Sequence, residues 1–391
     1  MSRRRAVITG VGAVSGFGAG AEAMFAALCA GRRAVREVPA LRAAGLPAWV
    51  ALLDGADPLA PGDRCRAAAL VAAAEAVGDA GGVEAGDGLG VAVGTTLGAA
   101  AGLLSAVRGE ADADPAWTWS APAEAIAAAH GARGPLRAPS VACASGTAAL
   151  GAALEDIRSG RALQVIAGGV DTLTDFVLAG FAALKAVDDR PCRPFDARRA
   201  GLNLGEGAAF LVVEEEAHAR ARGARIRAVL AGHGDASDAH HMTGPDPRGQ
   251  GAARAMAAAL ADAGLGPGDV DCVNAHGTAT AFNDLMEQHA LWAVFGERAA
   301  RLPLNAIKGA LGHTLGAAGA LEAVVCLRQL EAGVLVPTVG HEVLDPAMRL
   351  DVVAGVARPL LHSVALSTSS GFGGVNAALV LQAAARGAPR G

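Results

Sequence analysis

Tyrosine is absent from this 391-residue chain, aromatic residues make up only 3% of it, and lysine occurs twice, at Lys185 and Lys308. With so few aromatics there is no platform for stacking bases, and a formal net charge of −5 leaves no basic stripe to track a phosphate backbone. Polynucleotides are therefore not expected as partners. The cysteines, at 29, 65, 143, 192, 272 and 326, are scattered and form no C-x-x-C pair, so neither a disulfide framework nor a zinc site is expected. Such thiols fit a reducing cytoplasm. No run of large apolar residues is long enough to span a bilayer, because alanine inflates the 52% apolar content. The opening MSRRRAVITGVGAV has the basic-then-apolar order of a signal peptide, but Gly10 and Gly12 break the apolar run. A first strand of a soluble, intracellular protein is expected instead.

What is present describes a compact α/β protein. Charged residues are 18% of a chain longer than one usual domain, so two packed halves are expected. Strand-like runs such as RAVITGVG and LGVAVGT alternate with alanine-rich helical stretches. The acidic-to-basic run in LVVEEEAHARARGARIRAVLAG separates two strand-like pieces, which places the halves at 1–228 and 229–391. ARAMAAALADAGLG in the second half echoes AAALVAAAEAVGDAG in the first, as an internal duplication would. GTAALGAALEDI and HTLGAAGALEAVVCL are small and apolar nearly all round, the mark of helices buried between two sheets.

Four segments carry candidate chemistry. In PSVACASGTAAL, the β-like SVA runs into Cys143 and a helix follows that Gly160 can end. A thiol at a helix N-terminus feels the positive end of the macrodipole, which favours the thiolate; a lone cysteine is equally compatible with inert packing. His276, in DCVNAHGTATAFND, follows a β-branched run and enters a loop of glycine and threonine. His313, in NAIKGALGHTLGAAGALE, stands beside Gly312 and a small-residue helix. Lys308 is notable because this chain uses arginine for nearly every other cation, which points to a need for a compact ammonium. Glu322 on the following helix could neutralise it. LSTSSGFGGVNAALVL places a turn between two strand-like runs, where backbone N–H groups can serve as oxyanion donors and Phe372 can act as a gate. The adjacent His240 and His241 face different ways, so no metal pair is expected. GVGAVSGFGAG lacks the G-x-G-x-x-G spacing and its downstream acid, so no dinucleotide site is expected.

ACASGTAALGAA, NAHGTATAFND, NAIKGALGHTLGAAGALE and SSGFGGVNAAL, in this order, resemble the signature segments of the β-ketoacyl-acyl-carrier-protein synthases with a Cys-His-His site. RRAVITGVGAVSGFG, CRPFDARRAGLNLGEGAAFLVVEE and SDAHHMTGPDPRGQG resemble the same family, so the likeness runs along almost the whole chain. It implies the thiolase-like fold, with duplicated βαβαβ halves in five α-β-α-β-α layers. It implies Cys143 as the acyl-accepting nucleophile, His276 and His313 as the pair holding the malonyl thioester oxygen, and Lys308 with Glu322 as their orienting network. The oxyanion hole and gate would be Phe372 with Gly371 and Gly373 and the N–H of Cys143, and Thr278 and Thr280 would contact a phosphopantetheine arm. For docking an acidic acyl carrier protein, Arg199 matches a basic position of the family, and Arg64 and Arg66 are weaker candidates.

The reaction implied is decarboxylative condensation of an acyl group with a malonyl carrier, in fatty-acid or polyketide-type synthesis. No bound cofactor or metal is implied beyond the carrier's own arm. The assembly implied is a homodimer, or a heterodimer with a related subunit. The chain departs from the family in Ser370, in place of a first phenylalanine, in Thr368, in place of asparagine, and in a shorter, more polar stretch at 107–135. An alternative is a non-elongating, chain-length-factor-like subunit; such subunits typically lack the cysteine that this chain keeps. A thiolase would need a second cysteine near the C-terminus, and GFGG has none.

Overall fold

Strand-forming runs and alanine-rich helices alternate from end to end in the structure, a computed structural model that describes residues 4–57, 59, 64–110, 112, 118–360 and 363–384. The strands that build the main sheet are β1 (Ala6–Ser15), β2 (Leu89–Gly94), β3 (Leu136–Arg137), β4 (Gln164–Asp171) and β5 (Gly207–Glu215). They are followed by β6 (Ala228–Ser237), β7 (Cys272–Asn274), β8 (Pro303–Asn305), β9 (Asp351–Val352), β10 (Val364–Gly371) and β11 (Val375–Ala383). The helices that matter for the site are α1 (Arg64–Asp79), α2 (Ser145–Arg158), α3 (Asp175–Ala183), α4 (Gln250–Ala263), α5 (Ala281–Phe295), α6 (Lys308–Leu311) and α7 (Ala318–Ala332).

The same strand order occurs twice. The first set runs β1-β5-β4-β2-β3, with the first two pairings antiparallel and the last two parallel. The second runs β6-β11-β10-β7-β8 with the same senses, and β9 adds a parallel edge. β1 and β6 join the two sets through the pairs Val7↔Val229 and Ile8↔Ala228. The echo between the alanine-rich segments is thus an echo in space, since α1 lies on β1 as α4 lies on β6.

Glycine makes that contact close. A Cβ at Gly10 or Gly12 of β1 would lie 2.1 Å from Ala76 O and 2.2 Å from Ala72 O of α1. At Gly232 and Gly234 of β6 it would lie 2.3 Å from Ala259 O and 2.4 Å from Ala255 O of α4. The glycines that break the opening apolar run therefore seat a helix on a strand. Between the two sets of strands lie α2 and α7, buried along almost their whole length. They approach through Gly146 and Gly319, where a Cβ would meet Gly316 O at 2.7 Å and Thr147 Oγ1 at 2.0 Å. With α1 outside one set of strands and α4 with α5 outside the other, the layers read α-β-α-β-α. Arg227, almost fully buried, bridges the parts by pairing with Asp79 of α1 and, at 2.8 Å, with Glu331 of α7.

One local expectation changes. Val141 and Cys143 belong to no strand; they form an isolated bridge around Ala142, whose φ is +50. Within 107–135 a helix runs Ala121–His130, and residues 111 and 113–117 lie outside the described residues.

Candidate active site

Cys143 reaches its place through a strained turn. The left-handed Ala142 lifts the chain out of line, and Ser145, at the start of α2, locks the turn by donating its hydroxyl to Ala142 O at 2.6 Å and accepting Val141 N–H at 2.9 Å. The thiol then lies before the helix N-terminus, 6% exposed. Its acidity is not what the helix dipole alone implies. Burial pushes the thiol up to about 12; Lys308 opposes this, Asp171 and Glu322 add to it, and a hydrogen bond from the Phe372 amide opposes it. Burial thus works against the thiolate that the helix dipole favours.

The two histidines arrive from the second set of strands. β7 ends at Asn274 and His276 follows in the loop before α5, while His313 follows α6 and Gly312. Their rings stand edge to face with centroids 5.2 Å apart. Both are held well below the ordinary imidazole value of 6.5, by burial first and by the charge of Lys308 next. Both are therefore neutral, and their hydrogen bonds fix where each proton sits. Lys308 Nζ lies 3.2 Å from His276 Nδ1, and the Leu315 N–H donates to His313 Nδ1 at 3.2 Å. Each Nδ1 is thus an acceptor, so each Nε2 carries the proton.

Lys308 is almost fully buried and is anchored by His276 O at 2.6 Å and Glu322 Oε1 at 2.5 Å. Burial raises Glu322 to about 7, with Lys308 opposing.

Cys143 lies where two cavities meet. One, of about 560 Å³, is lined by Cys143, His276, His313, Thr278, Thr280 and Ser370 among others. The other, of about 690 Å³, is apolar and lined by Leu97, Phe176, Val177, Leu184 and Leu315 together with Cys143. Phe372 and Phe181 line both and stack with centroids 5.6 Å apart, so Phe372 stands at the partition between them. The turn that carries Phe372 has Gly373 in a left-handed backbone, φ +84, with its N–H donated to Met242 O at 2.6 Å. Gly371 must be glycine-sized, because a Cβ there would come within 3.0 Å of Cys143 N.

The remaining candidates divide. Thr278 and Thr280 line the first cavity and share a hydrogen bond at 2.9 Å, and Thr280 also caps α5. Ser370 makes that wall polar, donating to Asn376 Oδ1 at 2.8 Å, and Thr368 donates to Glu287 Oε1 at 3.2 Å. Arg199 and Arg64 are both tied into ion pairs. The Arg199 side chain is 7% exposed and pairs with Asp345, and Arg64 binds the buried Glu206 at 2.6 Å and Leu173 O at 2.8 Å. Arg199 thus braces the interior, while Arg64 keeps 24% of its side chain exposed. Arg66 is half-buried on α1. His240 and His241 are exposed, and the described residues contain no cluster able to hold a metal ion.

Several residues escape the sequence reading. Glu287 of α5 accepts the His276 and Gly277 amides, each at 2.7 Å, and burial raises it to about 7. Asp284, one turn earlier, accepts Phe195 N–H at 2.7 Å and is raised by burial to about 6. The available signal was NDLME, acids three apart directly after the His276 loop. Asp171 closes the apolar strand QVIAGGVD, and its carboxylate is fully buried.

A duplicated mixed sheet around two buried helices, with one cysteine and two neutral histidines between two cavities, is the architecture of a condensing enzyme of the thiolase-like class. Residues 55–219 match the family model "Beta-ketoacyl synthase, N-terminal domain" and 227–342 the model "Beta-ketoacyl synthase, C-terminal domain". A putative polyketide beta-ketoacyl synthase of Streptomyces cyaneus is 39% identical, over 97% of this chain and 98% of its own. A 3-oxoacyl-[acyl-carrier-protein] synthase of Staphylococcus aureus is 42% identical over 64% of both chains. Among solved structures, a ketosynthase complexed with its type II polyketide acyl-carrier protein superposes with a TM-score of 0.91 at 31% identity, covering 98% of this chain and 100% of that one. The chain belongs to the β-ketoacyl synthase family.

Proposed function

We propose that this chain joins an acyl group on Cys143 to a malonyl group on acyl carrier protein, releasing CO2 and a 3-oxoacyl carrier. The observation that carries this reading is the pair of neutral imidazoles with both Nε2 protons fixed beside the cysteine. In this reading residues 1–228 supply the nucleophile and 229–391 the two histidines.

The first step exchanges thiols. Cys143 attacks the acyl-carrier thioester while its proton passes to the departing carrier sulfur, so a thiol with a raised pKa is no obstacle overall. The tetrahedral oxyanion is received by the N–H groups of Cys143 and Phe372. The acyl chain then occupies the apolar cavity, and the pantetheine arm of the malonyl carrier enters past Thr278 and Thr280. Loss of CO2 leaves the bonding electron pair on an enolate, whose oxygen accepts from His276 and His313. Neutral imidazoles serve here because they donate without protonating the enolate. The nucleophilic carbon attacks the Cys143 thioester, the second oxyanion collapses, and the expelled thiolate takes one proton from solvent.

Two kinds of partner fit. A carrier protein supplies both substrates, as in the solved ketosynthase complex with its carrier. A second ketosynthase-like subunit fits the exposed apolar side chains of Phe176 and Leu184 at the apolar cavity, and related structures include the ishigamide ketosynthase/chain length factor. Cys143, His276, His313 and Lys308 stand together, which favours an elongating enzyme over a chain-length-factor-like role. Free cysteines, with no membrane-length apolar helix among the described residues, fit a cytoplasmic setting. The test is incubation with acyl carriers of several lengths and malonyl carrier, reading mass on Cys143 and on the product. Acylation followed by elongation is expected; no acylation from any carrier overturns the reading.

A further inference from the structure

The proton on His313 Nε2 depends on one backbone amide, the N–H of Leu315. Leu315 holds a left-handed backbone, φ +52, which a leucine keeps only where its surroundings impose it. The next residue shows what imposes it. Gly316 N–H donates to Asp171 Oδ2 at 2.6 Å, and a Cβ on Gly316 would already lie 2.7 Å from that oxygen.

Asp171 is itself fixed. Its other donors are Thr95 Oγ1 at 2.7 Å, Thr96 Oγ1 at 2.7 Å, Thr96 N at 3.0 Å and Leu97 N at 3.1 Å. All come from the turn after β2, and the carboxylate has no solvent contact. The strained Leu315–Gly316 turn is therefore pinned to a rigid strand end through a single side chain.

We propose that Asp171 is a positioning residue for decarboxylation: by clamping Gly316 it holds Leu315 left-handed, which aims the Leu315 amide at His313 Nδ1 and keeps the His313 proton on Nε2. This rests on the reading of His313 as a donor to the substrate oxygen. Thr96, Leu97 and Leu315 also line the apolar cavity, so the same carboxylate shapes the wall where the acyl chain lies.

In Asp171→Asn, whichever atom becomes the amide nitrogen faces donors and cannot accept from them. At the Oδ2 position the nitrogen repels the Gly316 N–H and releases Leu315 directly; at the Oδ1 position it repels the Leu97 N–H and loosens the strand end to which the turn is pinned. The measurement is the 15N spectrum of histidine-labelled full-length protein, with malonyl-carrier decarboxylation and Cys143 acylation followed alongside. The parent shows His313 protonated on Nε2. The variant is expected to lose that signature and about 100-fold in decarboxylation, while Cys143 still acylates.

Leu315→Gly supplies the discriminating variant, because glycine adopts the left-handed backbone without strain. Added to Asp171→Asn, it is expected to restore the His313 signature and much of the rate, which a general loss of packing would not allow. An unchanged His313 signature in Asp171→Asn, or no rescue by Leu315→Gly, overturns the proposal. Should Asp171→Asn alone not fold, the double variant is compared with Leu315→Gly: matching His313 spectra support the proposal, and differing ones overturn it. A parent that decarboxylates no malonyl carrier would instead count against the functional reading, leaving the tautomer result to stand by itself.

Discussion

Cys143, His276 and His313 are buried together, and burial acts on them in opposite chemical directions. It pushes the thiol up to about 12 and the imidazoles well below 6.5, favouring the uncharged form of each. For catalysis the sign is direct: the histidines lose their neutral form only as pH falls well below 6.5. The acid limb of the decarboxylation profile is expected below the ordinary imidazole value; an inflection near 6.5 would contradict this. For stability the linkage has the same sense, because the unfolded chain takes up protons near 6.5 that the folded chain refuses. Stability is therefore lost as pH falls below 6.5. In urea titrations His313→Asn should lose about 1 kcal/mol less than the parent over that fall. Cys143→Ala is expected to abolish the acyl mass shift while leaving the unfolding midpoint close to the parent's. At this scale the sequence showed the unusual groups and hid their partners. Cys143, His276, Lys308 and His313 stood out because rare side chains sat among small residues. Asp171 did not, because what fixes its role is a contact 145 residues away, with Gly316.

Among the elements, the strand glycines set how closely the outer helices approach. Gly12→Ala in β1 would place a methyl 2.2 Å from Ala72 O, and Gly234→Ala in β6 would place one 2.4 Å from Ala255 O. Backbone cannot yield as a side-chain tip does, so each is expected to destabilise the fold by about 1–3 kcal/mol in chemical denaturation. Similar losses from the two would show that the repeated units carry similar load. The paired glycines were readable as a break in an apolar run, but their purpose was not, since it depends on a helix some 60 residues later. The strand expected at SVA failed for a local reason: the turn at Ala142 is held by Ser145, and propensity does not register a side-chain lock of that kind.

The whole molecule repeats one topology, and the outline of that repeat was visible as two similar alanine-rich segments. Its surface is less self-sufficient. Phe176 is 63% exposed and Val107 78% exposed, and Leu136 on the short β3 is also open. Apolar area of this kind on a folded chain marks an interaction face. Native mass spectrometry is expected to find the chain paired with itself or with a related subunit, and a stable monomer at micromolar concentration would contradict that.

The near absence of lysine has a practical side. Lys308 is sealed in the core, so Lys185 is the one side-chain amine open to solvent, and its neighbour Ala186 lines the cavity that holds the histidines. Amine-reactive dyes, crosslinkers and immobilisation resins will therefore meet one lysine side chain on this enzyme, besides any free terminal amine. A fluorophore attached there would sit one residue from the wall of the cavity that holds both histidines.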